Sequence, residues 1–196
     1  MTDALAAIAI GYLLGSLPFG YWAGRLRGID LRLAGSGNTG ATNVMRVLGL
    51  KVGVPVMALD IAKGAAAVVV ARELSSNDIV PVLAAAAAVT GHMYPFLLGF
   101  RGGKGVATAV GAFLVLAPLA TLVCAGVFVA VVAATRYVSL GSMLAMVLLP
   151  PVAGSLFHAS LPVVAAAAAT AVLVVLKHRE NLKRLVRGTE RRLGQK

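Results

Sequence analysis

VATAVGAFLVLAPLATLVCAGVFVAVVAAT, residues 106–135, runs for thirty residues without a charged side chain. At 1.5 Å per residue a single helix of that length extends about 45 Å, half as long again as a hydrocarbon core of roughly 30 Å. Pro118, in LVLAPLAT, has no backbone donor and is the natural place for the run to break. The spacing therefore predicts a helical hairpin over 106–135, and that hairpin decides the number of membrane crossings.

Further apolar runs flank it at 4–24, 53–72, 79–98, 137–157 and 160–176. The polar stretches between them carry charge unevenly. Arg25, Arg27, Arg32, Arg46 and Lys51 follow the first run, Arg101 and Lys104 the third, Arg136 the hairpin, and eight more lie from residue 177 onward, which accounts for 16 of the 18 Lys and Arg. The opposite side holds Asp3, Arg72, Glu73 and Asp78. The positive-inside rule then puts the N-terminus outside and the C-terminus in the cytoplasm. Residues 104 and 177 share a side, so an even number of crossings separates them, and a hairpin at Pro118 brings the total to seven. Five crossings, with 106–135 as one tilted helix and one run left at the interface, satisfy the same parity. The expected fold is an all-α polytopic integral membrane protein of seven transmembrane helices, a single domain over 1–196.

Composition excludes the soluble classes. Of the chain, 59% is hydrophobic and 13% charged, with a mean hydropathy of +0.90, which no water-soluble core of this size could hide. The net charge of +11 marks one face of a membrane and not a nucleic-acid partner. MTDALAA carries Asp3 and no Lys or Arg, so it lacks the positive region of a signal peptide and reads as a retained first helix. The single cysteine, Cys124, lies in an apolar run and reads as a packing residue.

Three polar segments share the expected cytoplasmic face: GSGNTGATNVMR, GFRGGKGVAT and KHRENLKRL. In the first, Gly37 and Gly40 let backbone amides approach an anion, while Ser36, Asn38, Thr39, Thr42 and Asn43 offer neutral donors and Arg46 can fork two phosphate oxygens. A solvated linker has the same composition. The second places Lys104 among Gly102, Gly103 and Gly105 just before a helix start at Val106, where unpaired amides and the dipole favour an anion. It is not a nucleotide P-loop: Leu98 stands where that motif needs glycine and Gly105 where it needs Ser or Thr. In the third, a helical reading puts His178 and Asn181 on one face and Lys177 with Arg184 two turns apart, with Glu180 pointing elsewhere. An imidazole is a side chain that can act on a hydroxyl proton, the use expected of His178, although a lone interfacial histidine is commonly no more than solvated.

Within the spans, Asp60 and Lys63 lie at i and i+3, which predicts an internal ion pair and not a catalytic one. His92, in GHMYP, sits at a helix end near Pro95 and is expected to help shape the site, whereas His158 looks incidental. No HxxxxD is present, since Leu97, Val163 and Lys183 stand five after the three histidines. The cytoplasmic acids Asp30, Glu180 and Glu190 are too few and scattered for a magnesium site, so neither metal nor other cofactor is expected.

Taken together, GSLPFGYWAGRLRGIDLR, SGNTGATNVMRVLG, GHMYPFLLGFRGGKGVAT, RYVSLGS and HRENLKRLVRGTE resemble the bacterial acyl-phosphate:glycerol-3-phosphate acyltransferases, the PlsY family, over nearly the whole chain. The resemblance implies a seven-helix protein of the bacterial inner membrane. It would move a fatty acyl group from acyl phosphate to the 1-hydroxyl of sn-glycerol 3-phosphate, giving lysophosphatidic acid and phosphate. It further implies essential roles for Ser36 and Arg46, a phosphate-binding loop at Gly102, Gly103, Lys104 and Gly105, and catalytic contributions from His178 and Asn181. Glu180 is implied in structural integrity. Partners are the two substrates and membrane lipids, with a monomer as the expected working unit. Two other readings suit parts of the same sequence. A transporter for a phosphorylated solute would need polar residues near the midplane and access from both faces, and an acyl-CoA or acyl carrier protein donor would suit the same cationic face.

Overall fold

The computed structural model describes residues 2–194. Those residues form helices and turns with no strand, and they divide into two compact units, Met1–Val115 and Leu116–Lys196. Unit 1 holds α1 (Thr2–Ser16), α2 (Phe19–Arg25), α3 (Ala41–Leu48), α4 (Leu50–Leu74), α5 (Ile79–Met93), a short tight turn of helix at Phe96–Leu98, and α6 (Val106–Leu116), whose last residue opens unit 2. Unit 2 continues with α7 (Pro118–Thr135), α8 (Val138–Pro151), a wider turn at Val152–Leu156, α9 (Leu161–Lys177) and α10 (Arg179–Val186).

Five stretches are long and apolar enough to span a bilayer: Thr2–Arg25, Leu50–Leu74, Ile79–Leu98, Pro118–Thr135 and Val138–Leu156. A sixth is Leu161–Lys177 taken with Arg179–Val186, which meet at a 60° bend. The run 106–135 does break, and Pro118 opens α7 at its first turn, where a missing donor costs nothing. The arms are unequal, however. The first has only 11 residues, about 16 Å and half the hydrocarbon thickness, so by length alone it does not make a seventh span.

Lipid supplies no hydrophobic drive between helices, so these pack through close backbone approach. Gly11 and Gly15 on α1 are four apart, and a Cβ on either would run into the backbone of Ala84 or Ala88 on α5. Gly64 on α4 and Gly111 on α6 meet the carbonyls of Thr108 and Ile61 in the same way. Leu5, Leu13, Leu59, Leu122, Val129, Leu144 and Val172 point outward instead, as a lipid-facing surface requires. Gly15→Val is therefore expected to lower stability by about 1–3 kcal/mol through overpacking, read as a drop in the thermal midpoint of the purified protein in micelles.

A small apolar cluster sets the first polar segment on unit 1. Leu31, Val44 and Val56 are its buried centre, with Phe19, Ile29, Val47 and Val52 packed round them. Next to it, Arg32 grips Asp30 through Nε at 2.9 Å and Nη2 at 2.6 Å and lies 5.0 Å over the Tyr21 ring. That bond to Arg32 holds the Asp30 carboxyl down to about 2. Arg32 is thereby engaged in tying down its own turn.

Candidate active site

The segment 35–46 is a loop built round one side chain. Asn43, only 2% exposed, donates from Nδ2 to the carbonyls of Asn38 at 2.8 Å, Ala34 at 3.0 Å and Leu31 at 3.3 Å. Its Oδ1 accepts the Ser36 N–H at 2.8 Å. Asn38 closes a second local turn by accepting the Gly40 N–H at 2.8 Å. Asn43, expected as a phosphate donor, thus has its hydrogens directed into the loop and acts as its keystone. The Ser36 and Thr42 hydroxyls stay at the surface, Thr39 is buried, and Arg46 is half-buried on the last turn of α3. The first amides of α3, at Ala41 and Thr42, have no acceptor within the helix, as at any helix start.

Because Asn43 supplies donors, its carboxylate isostere does not replace it. Asn43→Ala should cost about 1–3 kcal/mol for the buried groups left unpaired. Asn43→Asp should cost at least as much, since it sets a carboxylate oxygen against three carbonyls; denaturation of both variants in detergent checks the order.

The second segment folds back on the end of α5. Gly102 donates its N–H to the Met93 carbonyl at 3.2 Å and Gly103 to that of His92 at 3.0 Å. A Cβ on Gly102 would strike the His92 carbonyl and the Pro95 ring, and one on Gly103 the His92 imidazole. These two glycines serve close approach, and their amides face the protein, not an anion. The expectation of phosphate-binding amides is thereby narrowed to Lys104, which is half-buried, and the residues after it. Gly105, at φ +81, makes the left-handed step into α6 and its carbonyl takes the Ala109 N–H at 2.8 Å. A small cleft in unit 1 is lined by Ser16, Thr39, Lys63, His92, Gly102 and Gly103, so the first and second segments meet there.

In unit 2 the bend between α9 and α10 falls on His178, which caps both helices. The bend takes Lys177 and Arg184 off a common helix axis, so the shared face expected for them does not form. His178 and Asn181 do turn inward together, 3% and 8% exposed. His178 Nδ1 lies 2.8 Å from the Val174 carbonyl. A carbonyl only accepts, so Nδ1 carries the proton and Nε2 is the basic nitrogen.

Glu190 is the residue that sequence reasoning passed over. Its side chain is 6% exposed and accepts from Asn181 Nδ2 at 2.6 Å, Ser139 Oγ at 2.7 Å and Arg184 Nε at 2.7 Å. Burial opposes its ionisation, but these three donors outweigh burial and hold the carboxyl below the usual range. With Nδ2 committed to Glu190, the Asn181 amide is fixed in orientation. Glu180, by contrast, is exposed and pairs with Lys183 at 3.0 Å. The tail after it is anchored: Arg136 and Leu193 exchange two hydrogen bonds of 2.7 Å.

The geometry matches known proteins closely. The family model for glycerol-3-phosphate acyltransferase matches residues 5–188. A glycerol-3-phosphate acyltransferase of Synechococcus sp. (strain CC9902) is 48% identical over 201 residues, spanning 100% of this chain and 98% of its own. One from Geobacter sulfurreducens is 44% identical over 192 residues, with 98% of each chain covered. The crystal structure of PlsY, an integral membrane glycerol 3-phosphate acyltransferase, in its glycerol 3-phosphate form superposes with a TM-score of 0.93 at 40% identity, covering 97% of this chain and 96% of that one. Its lysophosphatidic acid form gives 0.90 at 39% identity, with 97% and 95% covered. With matches of this extent on every side, the chain belongs to the glycerol-3-phosphate acyltransferase family and is an integral membrane acyltransferase.

Proposed function

We propose that this protein transfers a fatty acyl group from acyl phosphate to the 1-hydroxyl of sn-glycerol 3-phosphate, giving 1-acyl-glycerol 3-phosphate (lysophosphatidic acid) and phosphate, the first acylation of phospholipid synthesis. The glycerol hydroxyl oxygen bonds to the acyl carbon, the bond from that carbon to the bridging oxygen breaks, and phosphate leaves with the electron pair. The hydroxyl proton goes either to His178 or to the substrate's own phosphate. An acyl phosphate is a mixed anhydride and already activated, so positioning and charge stabilisation carry the rate and no acyl-enzyme is required.

The observation that carries this reading is the meeting of the first two glycine-rich segments at one cleft in unit 1. Arg46 and Lys104 lie in those two segments beside the cleft and not among the residues that line it, and two phosphate-bearing substrates need cations wherever the dielectric is low. The relatives support the acceptor: the PlsY structures were solved in a glycerol 3-phosphate form and a lysophosphatidic acid form. We place the site on the cytoplasmic face of a bacterial inner membrane, with seven crossings, the N-terminus outside and α6 as the short crossing. This rests on the one-sided distribution of Lys and Arg. The protein is taken to act as a monomer without a cofactor. Parallel assays of purified protein with labelled glycerol 3-phosphate and either acyl phosphate or acyl-CoA test the donor. Product from acyl phosphate alone is expected, and product from acyl-CoA alone overturns the assignment.

A further inference from the structure

The most deeply buried charges of unit 1 lie outside all three polar segments. Asp60 and Lys63 are one turn apart on α4, their side chains each 3% exposed, inside the span Leu50–Leu74. An ion pair at that depth is poor evidence for stability, because the cost of removing both charges from water offsets their attraction. What the two charges reach supplies a geometric reason for keeping them. Lys63 Nζ lies 2.9 Å from Asp60 Oδ1 and also donates to the Leu17 carbonyl at 2.8 Å, at the break between α1 and α2. The ammonium stands 5.5 Å over the Phe19 ring just beyond that break. Asp60 Oδ1 in turn lies 3.5 Å from His92 Nδ1.

His92 then holds the glycine-rich loop from two sides. Its carbonyl takes the Gly103 N–H at 3.0 Å, and its Nε2 occupies the space that a Cβ on Gly103 would need. A continuous path runs from the Leu17 carbonyl through Lys63, Asp60 and His92 to Gly103, the residue before Lys104. Residues 99–105 contain four glycines and have little conformational preference of their own. Without an external constraint the Lys104 ammonium would have to be ordered afresh in each turnover, whereas electrostatic catalysis works through groups already in place.

We propose that Asp60, Lys63 and His92 are positioning residues for acyl transfer: they fix the Gly102–Gly103 step against α4 and the α1–α2 break, and so fix Lys104 and the start of α6. The proposal rests on the assignment of Lys104 to a substrate phosphate made above. All three also line the cleft where the first two segments meet; the role assigned to them here is exerted through the loop.

His92 lies in the last turn of α5, so His92→Ala is the variant least disruptive to folding, and His92→Asn retains an amide nitrogen in the place of Nδ1. In His92→Ala, kcat with acyl phosphate and glycerol 3-phosphate should fall about 10- to 100-fold, the scale of a small misplacement of a catalytic group. His92→Asn should restore most of that loss. Amide hydrogen exchange should quicken in the peptide 99–108 and stay unchanged in the peptide 31–43. Gly103→Ala should be severely impaired in the wild-type background, where its methyl group meets the imidazole, yet add little further loss to His92→Ala. Three results overturn the proposal: wild-type kcat in His92→Ala, independent multiplication of the two losses in the double variant, or exchange that quickens across all of unit 1, which marks a merely structural role. Lys104→Ala in the same assay keeps the two ideas apart. Wild-type turnover there removes the phosphate assignment, while the exchange and Gly103 results still decide whether the triad holds the loop.

Discussion

Replacing Lys104 with alanine is expected to lower kcat/KM for glycerol 3-phosphate about 1,000-fold without unfolding the protein. Lys104 stands on the short connection between Gly103 and Gly105, where the backbone is held by α5 and by the start of α6. The side chain is half-buried, so a phosphate beside it would meet a charge only partly screened by water. Two unit charges about 4 Å apart interact by about 4 kcal/mol at an effective dielectric of about 20, and each 1.36 kcal/mol or so is tenfold in rate. Lys104→Arg keeps the charge but moves it outward on a longer, planar group, so it should recover only part of the loss. Steady-state kinetics together with a thermal melt check both statements. A loss of turnover accompanied by a lowered melting point would assign Lys104 to folding instead.

Glu190→Ala is expected to be the most damaging single change in unit 2. Three donors converge on this carboxylate, Ser139 from α8 and Asn181 and Arg184 from α10. Removing it leaves a buried serine hydroxyl and a buried asparagine amide without their acceptor. Hydrogen bonds to a charged group are worth about 1.5–3 kcal/mol each, and the contributions of a shared acceptor do not simply add. A loss of about 3 kcal/mol is the expectation, together with reduced activity because the Asn181 amide loses the carboxylate that orients its Nδ2. Glu190→Gln keeps an oxygen for Ser139 or Asn181 and should lose less.

The pH dependence of stability separates the wild type from both variants, since neither alanine nor glutamine titrates. The carboxyl lies below its ordinary value of 4.5 in the folded protein, so the folded state binds fewer protons than the unfolded one. Its contribution is then complete above about pH 4.5 and disappears as the pH falls through the depressed folded value. Acid denaturation of the wild type should show that loss, and Glu190→Gln should lack this component.

The helical architecture was legible because membrane solvent demands long apolar runs, and Pro118 marked its own break. The shortness of α6 was legible too, since a helix start at Val106 and a break at Pro118 already bound the arm that the structure shows as 11 residues; the count of seven crossings did not weigh that length against the hydrocarbon core. The Asp60–Lys63 pair followed from i,i+3 spacing on a helix. The bend at His178 has no proline or glycine to announce it; it arises where the His178 N–H is shared between the carbonyls of Val174 and Val175. Within the site, composition was a poor guide to which polar group does what. Asn43 looks like one more donor in a loop of Ser, Thr, Asn and Gly, yet three carbonyls surround its amide. Glu190 stands in the basic run KRLVRGTERR, which reads by default as a contact for anionic lipid until the return of residues 189–194 onto the α7–α8 turn brings it to Ser139 and Asn181. Long-range pairing of this kind leaves no periodic trace in a sequence.

The central claim is acyl transfer from acyl phosphate, with phosphate as the leaving group. Phosphorus NMR of purified protein supplied with palmitoyl phosphate and sn-glycerol 3-phosphate observes every species at once. The account predicts that the acyl phosphate and glycerol 3-phosphate signals decay together and are replaced by lysophosphatidic acid and inorganic phosphate in equal amounts. Acyl phosphate that persists beside unreacted glycerol 3-phosphate, or inorganic phosphate that appears without lysophosphatidic acid, would contradict it.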